Sequence, residues 1–497
     1  MKEAIYKLSQ NKYLPILAFA FLAILLLTYR IAIALNQTPE LLNGESNNIW
    51  NALKVISGKP IYTNPEAIPY EIFQYTPVSQ LPVIFLAWFE NNFFPSQDFI
   101  FTLGVGRILS IIYNLMTAFV IFKILKSQLK VQLTFALFGS LTFLYLLPHH
   151  FFAIRPDSLA LLFTVTGIYF FTKAYFQEHR NSFIMCAVIL AFSFFVKQDA
   201  FLISGAFGLV LLLSKNIKAL IIFSLSLIVC LGVLLLIAPL FLGPYFYISV
   251  FGGVALEMKF SQFTYVLSRY FTFYYVLMAI LIYGILIIFK NWPQHRKQLL
   301  FLLTTFIVTF CFAAFTSFKV GSHFNYYVLP SIVTILFIVY SINAKFGSMI
   351  NQIKVMILSI FIVYAISLHF LYFQYYHYTS PFLKNEIAQN FRANTIANNQ
   401  EIFNDLNTSN LNICSYDTRS RIILAKKVIL PNSEFYGISK FSYRDFNNLD
   451  PKKRIDIIIL PIEIKLKDTD LGRFVGDFNT YEIWKHSPEL DYYKLKK

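Results

Sequence analysis

Long apolar runs recur along most of this 497-residue chain, separated by short polar gaps. A helix that crosses a hydrocarbon core of ~30 Å needs about 20 largely apolar residues. Charged residues make up 14% of the chain, against about 25% in ordinary soluble domains. The pattern therefore predicts an α-helical polytopic membrane protein, with about eleven transmembrane helices over 13–35, 105–122, 132–148, 158–176, 182–196, 200–213, 219–242, 270–289, 299–315, 326–343 and 355–376.

The first run, 13–35, is longer than the apolar core of a signal peptide, and no small-residue cleavage site follows it. We therefore expect it to be retained as a span.

The basic residues lie in the short gaps between these runs, as they do in cytoplasmic loops. One further run, 78–95, is interrupted by Pro77, Pro82 and Glu90. If this run stays at the interface, every basic gap falls on one side of the bilayer. We therefore expect a multi-pass protein of the cytoplasmic membrane with its N-terminus inside and its C-terminus outside. The net charge of +16 follows this topology, so the lipid bilayer is a predicted partner and nucleic acid is not.

Two parts of the chain differ in character. Residues 1–376 form the predicted transmembrane module, whose first external loop, 36–104, is expected to carry interfacial helices. Residues 377–497 are polar and predict a small extracytoplasmic α/β domain, with a helix over 382–403 and strands in "LNICSYD", "RIILAKKVIL" and "RIDIIILP". The four cysteines have neither a disulfide pattern nor metal-site spacing.

The first external loop holds an acid, Glu45, followed by "IWNALKVISGKPIY". Ile49, Leu53 and Ile56 recur at helical spacing, which predicts a helix lying flat with its apolar face on the membrane. Glu45 would then lie at the headgroup level, where a carboxylate can accept a proton as a general base. A solvated interfacial acid is the simpler alternative.

Two more charged motifs lie at the predicted outer ends of spans. In "AIRPDSLALL", Asp157 either caps a helix or takes part in a site with Arg155. In "FFVKQDAF", Lys197, Gln198 and Asp199 interrupt apolar sequence. Ionised residues in such places are costly and tend to mark sites, but a lysine that snorkels from a helix end explains them equally well.

The motif "KVGSHFNYYVLP" precedes another span and holds Lys319, His323 and Asn325. A lysine beside a glycine turn predicts a phosphate cradle, because the turn exposes backbone donors. Arg269 enters its span from the same side and adds a second cation. The chain has no nucleotide-binding fingerprint, so a phosphate-bearing donor is expected to come from the lipid phase.

These motifs, in this order, resemble the GT-C superfamily of polytopic glycosyltransferases, which includes protein O-mannosyltransferases and the lipid A aminoarabinose transferase. The resemblance covers roughly 1–376 and rests on the acid at Glu45, the continuation "SGKPIYTNP…QYTPVSQLPVIF", Arg107, "RPDSLALL", "FFVKQDA" and "VGSHFNYYVLP". It implies transfer of one sugar from a polyprenyl-phosphate donor to a glycan, lipid or protein acceptor at the outer face, normally with inversion.

By position, the resemblance implies that Glu45 is the catalytic base and Asp157 the second acid. The predicted substrate-binding residues are Arg155, Lys197, Gln198, Arg269, Lys319, His323 and Asn325. Family members often carry an aspartate or paired acids in the first loop, whereas this chain has Gly44-Glu45-Ser46. No cofactor is implied with certainty, and a divalent metal stays open.

Two other classes of function remain open at this stage. A transporter of a lipid-linked saccharide would place ionisable residues near mid-membrane and often shows internal repeats. A structural membrane protein would explain the C-terminal domain but not the loop motifs.

Overall fold

The computed structural model describes residues 14–35, 45–64, 73–94, 100–147, 151–254, 257–289, 292–346, 397–406, 409, 411, 413–415, 429–430, 456–461, 481–488 and 490–495. Its helices are α1 Leu14–Ala34, α2 Glu45–Ile56, α3 Leu81–Phe93, α4 Ile100–Lys123, α5 Leu133–Leu146, α6 Asp157–Gln177, α7 Asn181–Val196, α8 Ile203–Leu213, α9 Ile217–Leu242, α10 Phe260–Phe289, α11 Trp292–Thr316 and α12 Val328–Phe346. Shorter turns of helix cover Pro77–Ser79, Gln198–Leu202 and Phe324–Tyr327.

A bundle of apolar helices forms most of the molecule, as expected for a multi-pass membrane protein. Five described helices are long and apolar enough to cross a bilayer: Ile100–Gln128, Asp157–Gln177, Ile217–Leu242, Pro293–Thr316 and Phe324–Ala344. Ten of the eleven predicted spans coincide with helices. The eleventh, 355–376, lies outside the described residues, so the count of spans and the orientation of the termini stay predictions.

The run at 78–95 forms α3, which has 13 residues. At 1.5 Å per residue it is about 20 Å long, too short to cross ~30 Å of hydrocarbon. Leu81, Phe85 and Trp88 leave large apolar surfaces exposed on one side of it. These features fit the expected interfacial position.

The prediction that the apolar face of α2 lies on the membrane is wrong. Ile49 and Leu53 are buried against protein, in a cluster with Val83 and Ala87 of α3. Its polar residues are buried as well, among them Asn48. The reason is that α3 packs against α2 and covers the face that was expected to meet lipid.

The C-terminal part contains a five-stranded mixed sheet, in line with the predicted α/β character. Its strands are β1 Ile413–Ser415, β2 Ile429–Leu430, β3 Ile457–Pro461, β4 Tyr481–His486 and β5 Leu490–Leu495, in the order β2-β1-β3-β5-β4. The first three are parallel, and β5 pairs antiparallel with both β3 and β4. Residues 397–406 are helical, within the predicted helix and three residues past its end. The proposed domain boundary at 376 lies outside the described residues.

The bundle core brings distant segments to one end of the molecule. Helix α6 packs on α4 and α7, α10 packs on α12, and α11 packs on α8. The start of α6, the end of α7, the end of α11 and the start of α12 meet around the residues described next.

Candidate functional site

Four charged side chains form one connected group, here named the charged cluster: Arg155, Asp157, Lys197 and Asp199. Arg155 Nε donates to Asp157 Oδ2 at 3.1 Å. Lys197 Nζ donates to Asp157 Oδ1 at 3.0 Å and to Asp199 Oδ2 at 2.9 Å. Two motifs that lie 40 residues apart in sequence therefore share one site.

Asp157 is the centre of this cluster. Its side chain is only 2% exposed, and it also accepts a hydrogen bond of 2.9 Å from Asn325 Nδ2. Pro156, not Asp157, occupies the N-cap position of α6. The carboxylate is thus surrounded by donors from two other segments, and helix capping does not explain it.

Lys197 follows the last residue of α7 in an extended conformation, with φ −161° and ψ 130°, which directs the chain away from the helix. Burial lowers the pKa of its ammonium, but the charges of Asp157 and Asp199 outweigh this effect and hold the pKa well above its ordinary value. Burial likewise opposes the charge of Arg155, and the fields of Tyr75 and Asp157 leave its pKa raised. Both cations therefore stay charged at neutral pH.

Two more basic side chains, Lys319 and His323, lie beside the cluster. Lys319 Nζ donates to the carbonyl of Val254 at 3.2 Å; burial lowers its pKa, and the charge of Asp199 partly offsets this. Burial, followed by the charges of Arg155 and Arg269, lowers the pKa of His323 to about 4. His323 is thus neutral at pH 7, so it can offer a phosphate a hydrogen bond but no charge.

Part of the expected cradle of backbone donors in "KVGSHF" is used within the protein. Gly321 does adopt the left-handed turn, with φ +79°. However, the N–H of Val320 donates to the carbonyl of Glu257 at 2.8 Å, and that of Ser322 donates to the carbonyl of Lys319 at 3.0 Å. These two N–H groups bond within the protein, so the segment has fewer backbone donors for a ligand than the motif predicts.

Gln198 holds neighbouring segments together. Its Nε2 donates to the carbonyl of Gln74 at 2.6 Å and to that of Val250 at 3.0 Å. The amide was predicted to bind substrate, but its nitrogen joins the segment at Gln74 to the 248–252 turn. Gln198 therefore ties two segments together next to Lys197 and Asp199, which line the cleft.

Glu45 lies beside this site in a buried ion pair. Its carboxylate accepts Arg107 Nε at 2.9 Å and Nη2 at 2.7 Å, and both side chains are 0% exposed. The N–H of Ile154 donates to Glu45 Oε1 at 2.8 Å. The expected accessible position at headgroup level is therefore wrong, because Arg107, 62 residues away in sequence, encloses the carboxylate. Its catalytic role stays a prediction.

The Glu45 contact belongs to a set of bonds that hold the backbone before Arg155. Asn48 donates to the carbonyl of Ile154 at 2.7 Å, and Ser110 donates to that of Ala153 at 2.9 Å. Further along, Asn114 and Ser158 both donate to the carbonyl of Phe151. Residues 151–154 are thus fixed by buried side chains from α2, α4 and α6, which sets the position of Arg155.

A cleft opens beside the charged cluster. One end is lined by Asp157, Lys197, Asp199, Asn325 and Tyr326, and the remainder is largely apolar, formed by α6, α8, α11 and α12. Asn325 is 9% exposed, and its Oδ1 has no hydrogen-bond partner among the described residues. The cleft is therefore charged at one end and apolar over the rest. The amide oxygen of Asn325, which has no partner among the described residues, belongs to the charged end.

Two tyrosines in the site were not singled out from the sequence. Tyr75 Oη lies 3.4 Å from Arg155 Nη2, and Lys197 Nζ lies 5.1 Å from the centre of the Tyr326 ring. With 31 tyrosines in the chain, residue type alone gave no signal. Tyr75 lies within the quoted "QYTPVSQLPVIF" motif and Tyr326 within "KVGSHFNYYVLP", so the motifs were the available pointers.

The described part of the chain contains no group of three or more His, Cys, Asp or Glu side chains that could hold a metal ion. The two acids of the charged cluster are paired with Lys197 and Arg155. Metal use thus has no support from these residues.

Neither a protein-family model nor a curated protein sequence matches the chain. Solved structures do match. ArnT from Cupriavidus metallidurans bound to undecaprenyl phosphate aligns with a TM-score of 0.61 and 10% identity, over 97% of this chain and 98% of that one. The apo state of the same protein gives 0.59 and 11%, over 96% and 97%. ArnT is the lipid A aminoarabinose transferase, a GT-C glycosyltransferase. The fold expected from the sequence motifs is therefore confirmed: this chain has the fold of ArnT.

Proposed function

We propose that this protein is a membrane glycosyltransferase that moves a sugar from a polyprenyl-phosphate donor to an acceptor at the outer face of the membrane. The observation that carries the proposal is the cleft, which is lined by charged residues at one end and by apolar residues of several helices over the rest. A polyprenyl-phosphate sugar has the same order of parts, with a polar sugar phosphate on a long apolar chain.

The cations around the cleft suit a phosphate leaving group. Arg155 and Lys197 bond to Asp157, Lys319 lies in the field of Asp199, and Arg269 lies near His323. Four cations thus outnumber the two carboxylates in this region. Among the described residues Lys319 bonds to a carbonyl rather than to a carboxylate, so its charge is not neutralised by a direct partner. Fixed cations stabilise the charge that develops on a leaving phosphate.

Asn325 favours a sugar over a bare lipid. Asn325 lines the cleft, and its buried Oδ1 has no partner among the described residues. A buried acceptor without a partner costs about 1–3 kcal/mol. A sugar hydroxyl that donates to this oxygen would remove the cost, which an apolar chain cannot do.

The similarity to a structure of ArnT bound to undecaprenyl phosphate supports the same donor class for this chain. Inversion at the sugar carbon is the finer part of the proposal. Glu45, the base implied by the sequence motifs, can meet an acceptor hydroxyl only after its carboxylate leaves Arg107, so a more exposed carboxylate is better placed to act as the base.

The test is turnover by the purified full chain in detergent with added lipid. We would offer a panel of polyprenyl-phosphate sugars, each with and without EDTA, and follow the loss of sugar from the lipid. We expect turnover of at least one donor, strongly reduced in Lys319→Met. Lys259→Met is the matched control, because Lys259 lies in an exposed ion pair with Glu257 nearby. Equal losses in both variants would contradict the proposed phosphate contact, and no turnover of any donor would contradict the function.

A further inference from the structure

Three carboxylates lie near the cleft, and they differ in how far a substrate can reach them. Glu45 is fully buried with both oxygens bonded. Asp157 is 2% exposed and accepts bonds from Arg155, Lys197 and Asn325. Asp199 is 26% exposed and lines the cleft. A general base must come within about 2.6–3.2 Å of the proton that it removes.

We propose that Asp199 is the general base that activates the acceptor hydroxyl in the glycosyl transfer proposed above, on which this inference rests. Its Oδ2 is held by Lys197 at 2.9 Å, and its Oδ1 accepts no hydrogen bond from the described residues. One oxygen is thus fixed by Lys197 and the other has no partner in the described part of the chain, in a side chain that is partly exposed and lines the cleft.

The local backbone keeps this carboxylate in place. Asp199 lies in the first turn of the short helix Gln198–Leu202, directly after the extended Lys197. Gln198, its neighbour, is tied to the carbonyls of Gln74 and Val250. Lys197 in turn is anchored by the buried Asp157. The carboxylate is therefore positioned by a rigid network before any substrate binds, which is what a catalytic base requires.

The proposed step balances as follows. The acceptor O–H bond breaks and its proton moves to Asp199 Oδ1. The acceptor oxygen forms a bond to the anomeric carbon, and the bond between that carbon and the phosphate oxygen breaks. The electron pair leaves on the phosphate, where Lys319 and Arg155 stabilise the added charge. Asp199 then returns its proton to solvent.

Azide distinguishes a general base at position 199 from a residue with a purely structural role. Azide is already anionic and attacks a sugar carbon without a base. In Asp199→Ala, a glycosyl azide should therefore form from the donor, because the phosphate still leaves and the missing proton transfer is not needed. An aspartate that only orients Lys197 gives no such rescue.

The experiment uses the polyprenyl-phosphate sugar that the wild-type protein turns over fastest. We expect Asp199→Asn and Asp199→Ala to lose about 10²–10⁴-fold in sugar transfer, while the Kd for polyprenyl phosphate changes by less than about threefold. Glu257→Gln, which removes an exposed carboxylate nearby, is the matched control and should behave as wild type. Azide should restore sugar release in Asp199→Ala.

The outcomes are distinguishable. Full transfer activity in Asp199→Asn would overturn the assignment while the proposed function stands. Loss of activity without azide rescue, or together with loss of polyprenyl-phosphate binding, would also overturn it and mark Asp199 as structural. Failure of the wild-type protein to release sugar from every donor would overturn the proposed function, and the role of Asp199 with it.

Discussion

The variant Glu45→Gln distinguishes a catalytic role of Glu45 as a base from a structural role as the ion-pair partner of Arg107. In the structure Glu45 and Arg107 form a bidentate ion pair, with both side chains fully buried. Glutamine keeps the shape and one acceptor oxygen but removes the charge that balances Arg107. A buried charge that has lost its partner costs about 3–5 kcal/mol. We take about 3 kcal/mol, at the low end, because one hydrogen bond is retained.

The assay is thermal unfolding of the purified protein in detergent, together with donor turnover. A loss of about 3 kcal/mol should lower the unfolding temperature of a chain of this size by roughly 3 °C. Turnover should fall as well, because Glu45 also accepts the N–H of Ile154, next to Arg155. The double variant Glu45→Gln with Arg107→Gln should recover most of the lost stability, since no unpaired charge remains.

One result would refute this reasoning. If Glu45→Gln keeps the wild-type unfolding temperature and loses all turnover, the carboxylate is catalytic rather than structural. Stability losses that simply add in the double variant would also contradict a direct coupling between Glu45 and Arg107.

Three further predictions concern the cleft. Asn325→Ala should weaken binding of a polyprenyl-phosphate sugar but not of polyprenyl phosphate alone, as measured by titration; equal effects on both ligands would remove the sugar contact. His323→Gln should leave the pH dependence of turnover unchanged between pH 5 and 8, because the pKa of His323 lies at about 4. The same lowered pKa means that stability is lost as pH falls from 6.5 towards 4, and His323→Gln should abolish that loss in pH-dependent melting curves. Gln198→Ala should raise the KM for the donor, since the bonds to Gln74 and Val250 that hold the segment of Lys197 and Asp199 are lost; an unchanged KM would argue against this role.

The bundle was predictable because hydrophobic runs report directly on lipid contact. Placing the basic gaps on one side also brought Asp157 and Lys197 to the same end of the bundle, and the structure joins them at 3.0 Å. The strands β1, β2 and β3 fall within the three predicted runs. The hairpin β4–β5 was missed, because its short polar strands alternate too weakly to stand out from a charged tail.

The setting of Glu45 could not be deduced from periodicity. An amphipathic pattern shows that one face of α2 is apolar, but it does not say whether lipid or α3 covers that face. The partner Arg107 lies on a different helix, and only the folded chain brings it to Glu45. In the same way, the turn at Gly321 was correctly expected, whereas the use of its neighbouring N–H groups by Glu257 and Lys319 depends on tertiary contacts.

The most direct test of the central claim is to reconstitute the protein into liposomes loaded with a labelled polyprenyl-phosphate sugar. One time course would follow both the cleavage of the sugar from its lipid phosphate and the movement of intact lipid-linked sugar between leaflets. The account predicts that sugar leaves the lipid and that one polyprenyl phosphate is released for each sugar lost. Movement of the intact donor across the bilayer without cleavage would contradict it and identify a transporter instead.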